Sequence, residues 1–225
     1  MRRQQRTRSF VPSFPTLKLC ALATVVAIAA CGDDDDDVEM EDEGPEVFTT
    51  LELTFSPDGG TAADDIVALF QDDDGDGVMS GSISPGITTL AASTTYSLSV
   101  RLANTTLPAG EQDEPQEEVM EEEDEHQFFF FGPTVNGPAT TNTTAPLTHA
   151  YADMDGGGLP VGFVNTITTG SAASAGDFTV LLRHLPPVDG SAVKVAGLAG
   201  TLASSGVSAL PGETDITVTY TVEVQ

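Results

Sequence analysis

Apolar and polar side chains alternate with period two along much of this chain, the pattern of strands that bury one face. Val47, Leu51, Leu53 and Phe55 fall on one side, with Phe48, Thr50, Glu52 and Thr54 on the other, and Ser56-Pro57-Asp58-Gly59-Gly60 then supplies turn chemistry. Tyr96, Leu98, Val100 and Leu102 alternate in the same way with Thr95, Ser97, Ser99 and Arg101. Phe178, Val180 and Leu182 repeat the pattern, and the clearest case sets Ile216, Val218, Tyr220, Val222 and Val224 against Thr217, Thr219, Thr221 and Glu223. Further strands are expected at residues 66–71, 127–131, 147–151 and 161–168, with the run Phe128 to Phe131 reading as a strand buried on both faces. About eight short strands separated by Gly, Pro and Asp turns predict an all-β domain, an antiparallel immunoglobulin-like β-sandwich. Long amphipathic helices do not alternate with the strands, which argues against a parallel α/β sheet.

Residues 113–125 break the pattern. Pro115 stands where the first turn of a helix favours it, and Gln116 to Glu125 has helix propensity with almost no apolar face. Glutamates repeat at the four-residue spacing (Glu114 with Glu118, Glu117 with Glu121, Glu118 with Glu122, Glu121 with Glu125), so they repel along any helix formed there. The segment reads as a short acidic helix resting on the sandwich through Val119 and Met120, as a loop, or as a stretch ordered by cations.

The first thirty residues follow a different logic. Arg2, Arg3, Arg6, Arg8 and Lys18 precede an apolar run over residues 19–30, which ends in Ile28-Ala29-Ala30-Cys31. A basic, then apolar, then small-residue order marks an export signal, and about a dozen apolar residues are too few to span a bilayer. Ile28-Ala29-Ala30-Cys31 resembles the lipobox of bacterial lipoproteins, which implies that Cys31 is acylated and begins the mature chain. An ordinary secretory signal cut beside a cysteine is the plainer alternative. Arg2-Arg3 lacks the hydrophobic continuation of a twin-arginine signal. From Gly32 to Glu46 there are ten acids in fifteen residues, a block that cannot collapse. The expected organisation is a signal peptide over 1–30, a lipidated cysteine and disordered acidic tether over 31–46, and a β-sandwich over 47–225.

Charge then narrows the partners. All 35 acids lie beyond residue 30, where Arg101, Arg183 and Lys194 are the only Lys or Arg. Such a body repels nucleic acid and anionic membrane surfaces and attracts cations and basic surfaces. Cys20 leaves with the signal and Cys31 carries lipid, so no intrachain disulfide is available even in an oxidising compartment.

Cation chemistry is therefore the first candidate. Asp72, Asp74 and Asp76 occupy the first, third and fifth positions of a loop with Gly77 at the sixth, the arrangement that turns hard oxygens toward calcium. The twelfth position is Ile83, so the bidentate Glu of an EF-hand is missing. Asp153-Met154-Asp155-Gly156 repeats the shorter theme; for both loops the alternative is that Asp and Gly serve a turn. A zinc site would combine His126 or His184 with carboxylates such as Glu122 or Glu125. No Gly-x-Ser-x-Gly elbow, phosphate loop or His-Glu-x-x-His occurs, and acids are so abundant that their adjacency says nothing about glycosidase chemistry, so no enzyme is expected.

Several stretches carry a family resemblance: Glu122-Glu123-Asp124-Glu125-His126-Gln127-Phe128-Phe129-Phe130, Leu51-Glu52-Leu53-Thr54-Phe55-Ser56-Pro57, Thr94 to Val100, Leu182-Arg183-His184 and Gly212-Glu213-Thr214-Asp215-Ile216. Over most of residues 46–225 the chain resembles short lipoproteins of Bacteroidota and neighbouring bacteria, encoded beside TonB-dependent receptors and sometimes labelled type 1 periplasmic binding fold. That label describes a two-lobed α/β protein and does not suit this strand-rich chain. The resemblance implies an outer-membrane, lipid-anchored protein accessory to an uptake receptor, facing the periplasm or the cell surface, and assigns no catalytic residue. In such lipoproteins an acidic patch after the lipidated cysteine resembles a surface-export signal; a spacer facing the periplasm is the alternative. The expected function is non-catalytic binding of a ligand or metal ion. The alternative is a structural or adhesive envelope module whose Asp loops hold calcium to stiffen turns.

Overall fold

The strands assemble into two sheets. A computed structural model describes residues 47–73, 75 and 81–225; Cys31, the 31–46 tether, Asp74 and Asp76 lie outside the described residues. In chain order the strands are β1 (Thr50–Pro57), β2 (Ile66–Gln71), β3 (Ser82–Ser84), β4 (Thr88–Leu90), β5 (Thr95–Ala103), β6 (His126–Phe131), β7 (Val135–Asn136), β8 (Leu147–Tyr151), β9 (Val164–Thr169), β10 (Ser174–His184) and β11 (Glu213–Val224). One sheet runs β3-β2-β1-β5-β9-β8-β7 and the other β4-β11-β10-β6.

Alternation decides which side chains meet between them. Leu51, Leu53 and Phe55 of β1, Leu98 and Leu102 of β5, Phe128 and Phe130 of β6, Phe178, Val180 and Leu182 of β10 and Tyr220 of β11 are buried in one contiguous cluster. Each such side chain contributes about 1.5–3 kcal/mol when removed from water. The Tyr220 hydroxyl donates to the Leu51 carbonyl at 2.6 Å and so ties the two sheets across that core.

All eight strands expected from the sequence are present, and the mainly β character is plain. The expected count and pairing need correction. Three further strands, β3, β4 and β7, have two or three residues each, too short for a period to register. Pairing is mixed rather than purely antiparallel, because β7 lies parallel to β8 and β4 parallel to β11.

Phe128 to Phe131 does enter as a strand covered on both sides. Phe128 and Phe130 face the sheet-to-sheet core, while Phe129 joins Leu181, Leu185, Leu198, Leu202 and Leu210 in a second cluster on the other face. That second cover includes a helix the periodicity did not announce, α2 (Leu198–Ser205), whose buried residues are Leu198, Ala199 and Leu202.

The acidic segment forms α1 (Glu114–Glu121), begun by Pro115 in its first turn. Val119 is fully buried in the core but Met120 is half exposed, so the helix rests on Val119 and Pro115 rather than on Val119 and Met120. Polar contacts complete it: Gln116 Oε1 accepts the Leu102 amide at 2.9 Å, and Arg101 pairs with Asp113 at 2.5 Å. No helix among the described residues is long and apolar enough to cross a membrane.

Candidate metal centre

Antiparallel register brings two distant histidines side by side. His126 opens β6 and His184 closes β10, and the two are directly paired. Opposed residues on one face of a sheet have neighbouring Cβ atoms, so their rings stack, with centroids 4.5 Å apart and planes 8° from parallel. Both continue the row of Phe128 and Leu182, which places them where the core opens at one end of the sheets. His126 is fully buried, contrary to the exposed strand-end position that a polar residue there would otherwise take.

The turn after α1 closes over this pair. The Glu122 amide donates to the Glu118 carbonyl at 2.9 Å and the Glu125 amide to the Glu122 carbonyl at 2.8 Å. That same Glu122 carbonyl lies 3.1 Å from His126 Nδ1. A carbonyl only accepts, so Nδ1 carries the proton at this contact. The Glu125 carbonyl accepts the Leu185 amide at 2.6 Å, which fixes the turn beside His184. As a result His184 Nε2 stands 4.0 Å from Glu122 Oε2 and 3.7 Å from Glu125 Oε2. One donor atom from each of Glu122, His126 and His184 lies within 4.8 Å of the others. A hollow of about 480 Å3, floored by Pro186, Val188, Val193 and Pro211, adjoins His184 and Glu213.

Next to this cluster is an ion pair that local sequence patterns did not reveal. Lys194 Nζ lies 2.7 Å from Asp155 Oδ2, with the two side chains 0% and 2% exposed, and also donates to the Glu123 carbonyl at 2.6 Å. Asp155 Oδ1 accepts the Gly157 and Leu159 amides at 2.9 and 2.8 Å. Burial tends to raise the Asp155 pKa, but Lys194 and the two amides outweigh it and hold the carboxyl below the ordinary aspartate range. Asp153 is equally engaged, accepting the Gly162 amide at 2.8 Å and the Val164 amide at 2.9 Å through its two oxygens. Asp153 and Asp155 are the two aspartates of the second candidate calcium loop. Their oxygens shape a turn, and the cation facing Asp155 is the ammonium of Lys194. In the first aspartate loop Asp72 is buried, and Asp74 and Asp76 lie outside the described residues.

The remaining histidine belongs to the core. His149 on β8 is 3% exposed, its Nε2 lies 3.0 Å from Asn165 Oδ1, and it packs on Phe130 and Tyr151. Desolvation pulls its pKa down to about 4, so the ring is neutral. Arg183 is likewise structural: its guanidinium donates to the Leu210, Pro211 and Gly212 carbonyls and to Thr214 Oγ1, which pins the residues before β11 beside His184.

His126 and His184 are thus brought together with Glu122 and Glu125, whereas Asp153 and Asp155 are turned to other work. Sequence reasoning missed Lys194 because nothing near it in the chain marks a partner. No model of a known protein family matches the chain, and comparison with curated proteins and with solved structures likewise yields no match.

Proposed function

We propose that this protein is a non-catalytic lipoprotein of the bacterial outer membrane whose β body binds a divalent transition metal, zinc by preference, through Glu122, His126 and His184, with Glu125 in reserve. One observation carries this reading: the convergence of two imidazoles and a carboxylate within 4.8 Å at the open end of the core. Mixed nitrogen and oxygen donors suit zinc better than calcium, which prefers oxygen alone. The His126 Nδ1 contact with the Glu122 carbonyl is the kind of outer-shell bond that orients a ligating imidazole. A tetrahedral zinc ion with bonds of about 2.0–2.2 Å needs donors about 3.3 Å apart, so binding would draw the carboxylates inward.

Anchoring through Cys31 and service to a TonB-dependent receptor rest on the leader sequence and on the family resemblance. The two sheets facing one core support the finer assignment to an immunoglobulin-like sandwich, enlarged by short edge strands. The test is zinc titration of the mature protein against a competing chromophoric chelator. Stoichiometric binding that His126→Ala and His184→Ala each abolish is expected. Absence of zinc binding by the wild-type protein would overturn the reading and leave calcium at the first loop, tested with Asp74→Asn and Asp76→Asn, as the remaining metal proposal.

A further inference from the structure

We infer that Lys194 and Glu123 are positioning residues for this centre, fastening the carboxylate-bearing turn Glu122 to Glu125 to the loop of residues 153–161, so that metal affinity and the order of that loop are coupled. The inference rests on the metal reading and extends it from the ligands to their support.

Four observations place the fastening. The fully buried Lys194 ammonium bridges the Glu123 carbonyl and Asp155 Oδ2 at 2.6 and 2.7 Å, in the middle of the turn that supplies both carboxylates. A second strap runs the other way, with Glu123 Oε1 accepting the Gly156 amide at 2.9 Å. Asp155 then organises its own loop through the Gly157 and Leu159 amides, and an antiparallel bridge joins Met154 to Pro160. Finally, the Glu122 carbonyl that orients His126 belongs to the same turn. A turn of consecutive acids repels itself, and its two ligands hold a fixed spacing only if the backbone between them is restrained. The restraint comes through the Glu123 carbonyl, the Glu123 carboxylate and Asp155, and Asp155 cancels the ammonium's charge, so the effect on the metal is one of placement rather than of attraction.

Coupling of this kind is reciprocal: whatever factor loop order adds to metal affinity, metal adds to loop order. Loss of support around a metal site commonly weakens binding by about 10–100-fold. The experiment compares wild type, Glu123→Ala, Glu123→Gln and the double variant Lys194→Met/Asp155→Asn. Asparagine keeps an oxygen for the Gly157 and Leu159 amides while removing the charge that methionine would strand. Zinc affinity is read by chelator competition, coordination geometry by the visible absorption of the cobalt-substituted protein, and loop order by amide hydrogen exchange at Gly157 and Leu159 with and without zinc. Expected are roughly tenfold weaker binding and an altered cobalt spectrum in Glu123→Ala and the double variant, recovery of both in Glu123→Gln, and slower exchange of the two amides in wild type on adding zinc. Should the double variant fail to fold, Glu123→Ala, which strands no buried charge, carries the test. If wild type binds no zinc, the metal reading itself falls and takes this inference with it. If wild type binds zinc but the variants match it in affinity and spectrum, and zinc leaves the loop amides unchanged, the inference is overturned and the metal reading stands.

Discussion

Replacing Lys194 by methionine leaves its aliphatic volume and removes the ammonium, together with its pairing to Asp155 and its bond to the Glu123 carbonyl. At 2.7 Å the two charges attract by about 6 kcal/mol with an effective dielectric constant near 20. Desolvation of both ions offsets most of that, so the pair itself stabilises little. Its rupture is another matter, since Asp155 would keep a charge at 2% side-chain exposure with no counter-ion. Breaking a buried pair from one side costs about 3–5 kcal/mol, and the two amides that still solvate Oδ1 place this case near 3. With a urea slope of about 2 kcal/mol/M, the unfolding midpoint should drop by about 1.5 M. Circular dichroism is the suitable probe, because the chain contains no Trp.

Asp155 has a depressed pKa in the folded wild type, so its contribution is full above the ordinary aspartate value and is lost as pH falls through the folded value. In Lys194→Met the carboxyl loses its main stabiliser and protonates more readily, which relieves the stranded charge. The stability gap between the two proteins should therefore be wide at pH 7 and narrow below about pH 4. A gap under about 0.5 kcal/mol at pH 7, the level of an ordinary surface substitution, would refute the argument, as would a gap that does not change with pH.

Other consequences can be measured separately. Gly212 has φ +71°, and a Cβ there would lie 2.0 Å from the His184 carbonyl oxygen, so Gly212→Ala should lower stability by at least about 1–2 kcal/mol and weaken zinc binding by displacing His184; unchanged melting and affinity would count against that geometry. His149 has a folded pKa near 4, below its unfolded value, so between about pH 6.5 and 4 the unfolded chain binds more protons and stability falls with acidification, by about 3 kcal/mol over the whole window. His149→Phe should flatten that slope in urea titrations run at successive pH values, and an unaltered slope would assign the proton uptake elsewhere.

How far the chain announces its own structure depends on the range of the interaction. Period-two alternation marks β1, β5, β10 and β11 because each is long enough to show both faces, while β6 is signalled by its run of phenylalanines. The turn chemistry of Pro115 likewise signals α1. Strands such as Val135–Asn136 are defined only by the neighbour they pair with, and α2 contains Gly200 and is held by burial of Leu198 and Leu202 rather than by propensity. The metal centre shows the same division. The histidines and the acids before His126 are visible as candidates, but the register that sets His184 opposite His126 is a tertiary fact. Asp-x-Asp-Gly writes the same letters whether the cation is a metal ion or a lysine far along the chain, so the Lys194 partner of Asp155 was not legible there.

Three of the four sheet margins, β3, β4 and β7, are strands of two or three residues. A margin that brief offers too few open amide and carbonyl groups for a neighbouring molecule to extend the sheet. The fourth, β6, has its Phe128 amide already taken by the Val161 carbonyl at 2.7 Å. Among the described residues, sheet margins this short or partly covered, on a body of net negative charge, disfavour the edge-to-edge pairing of one copy with another.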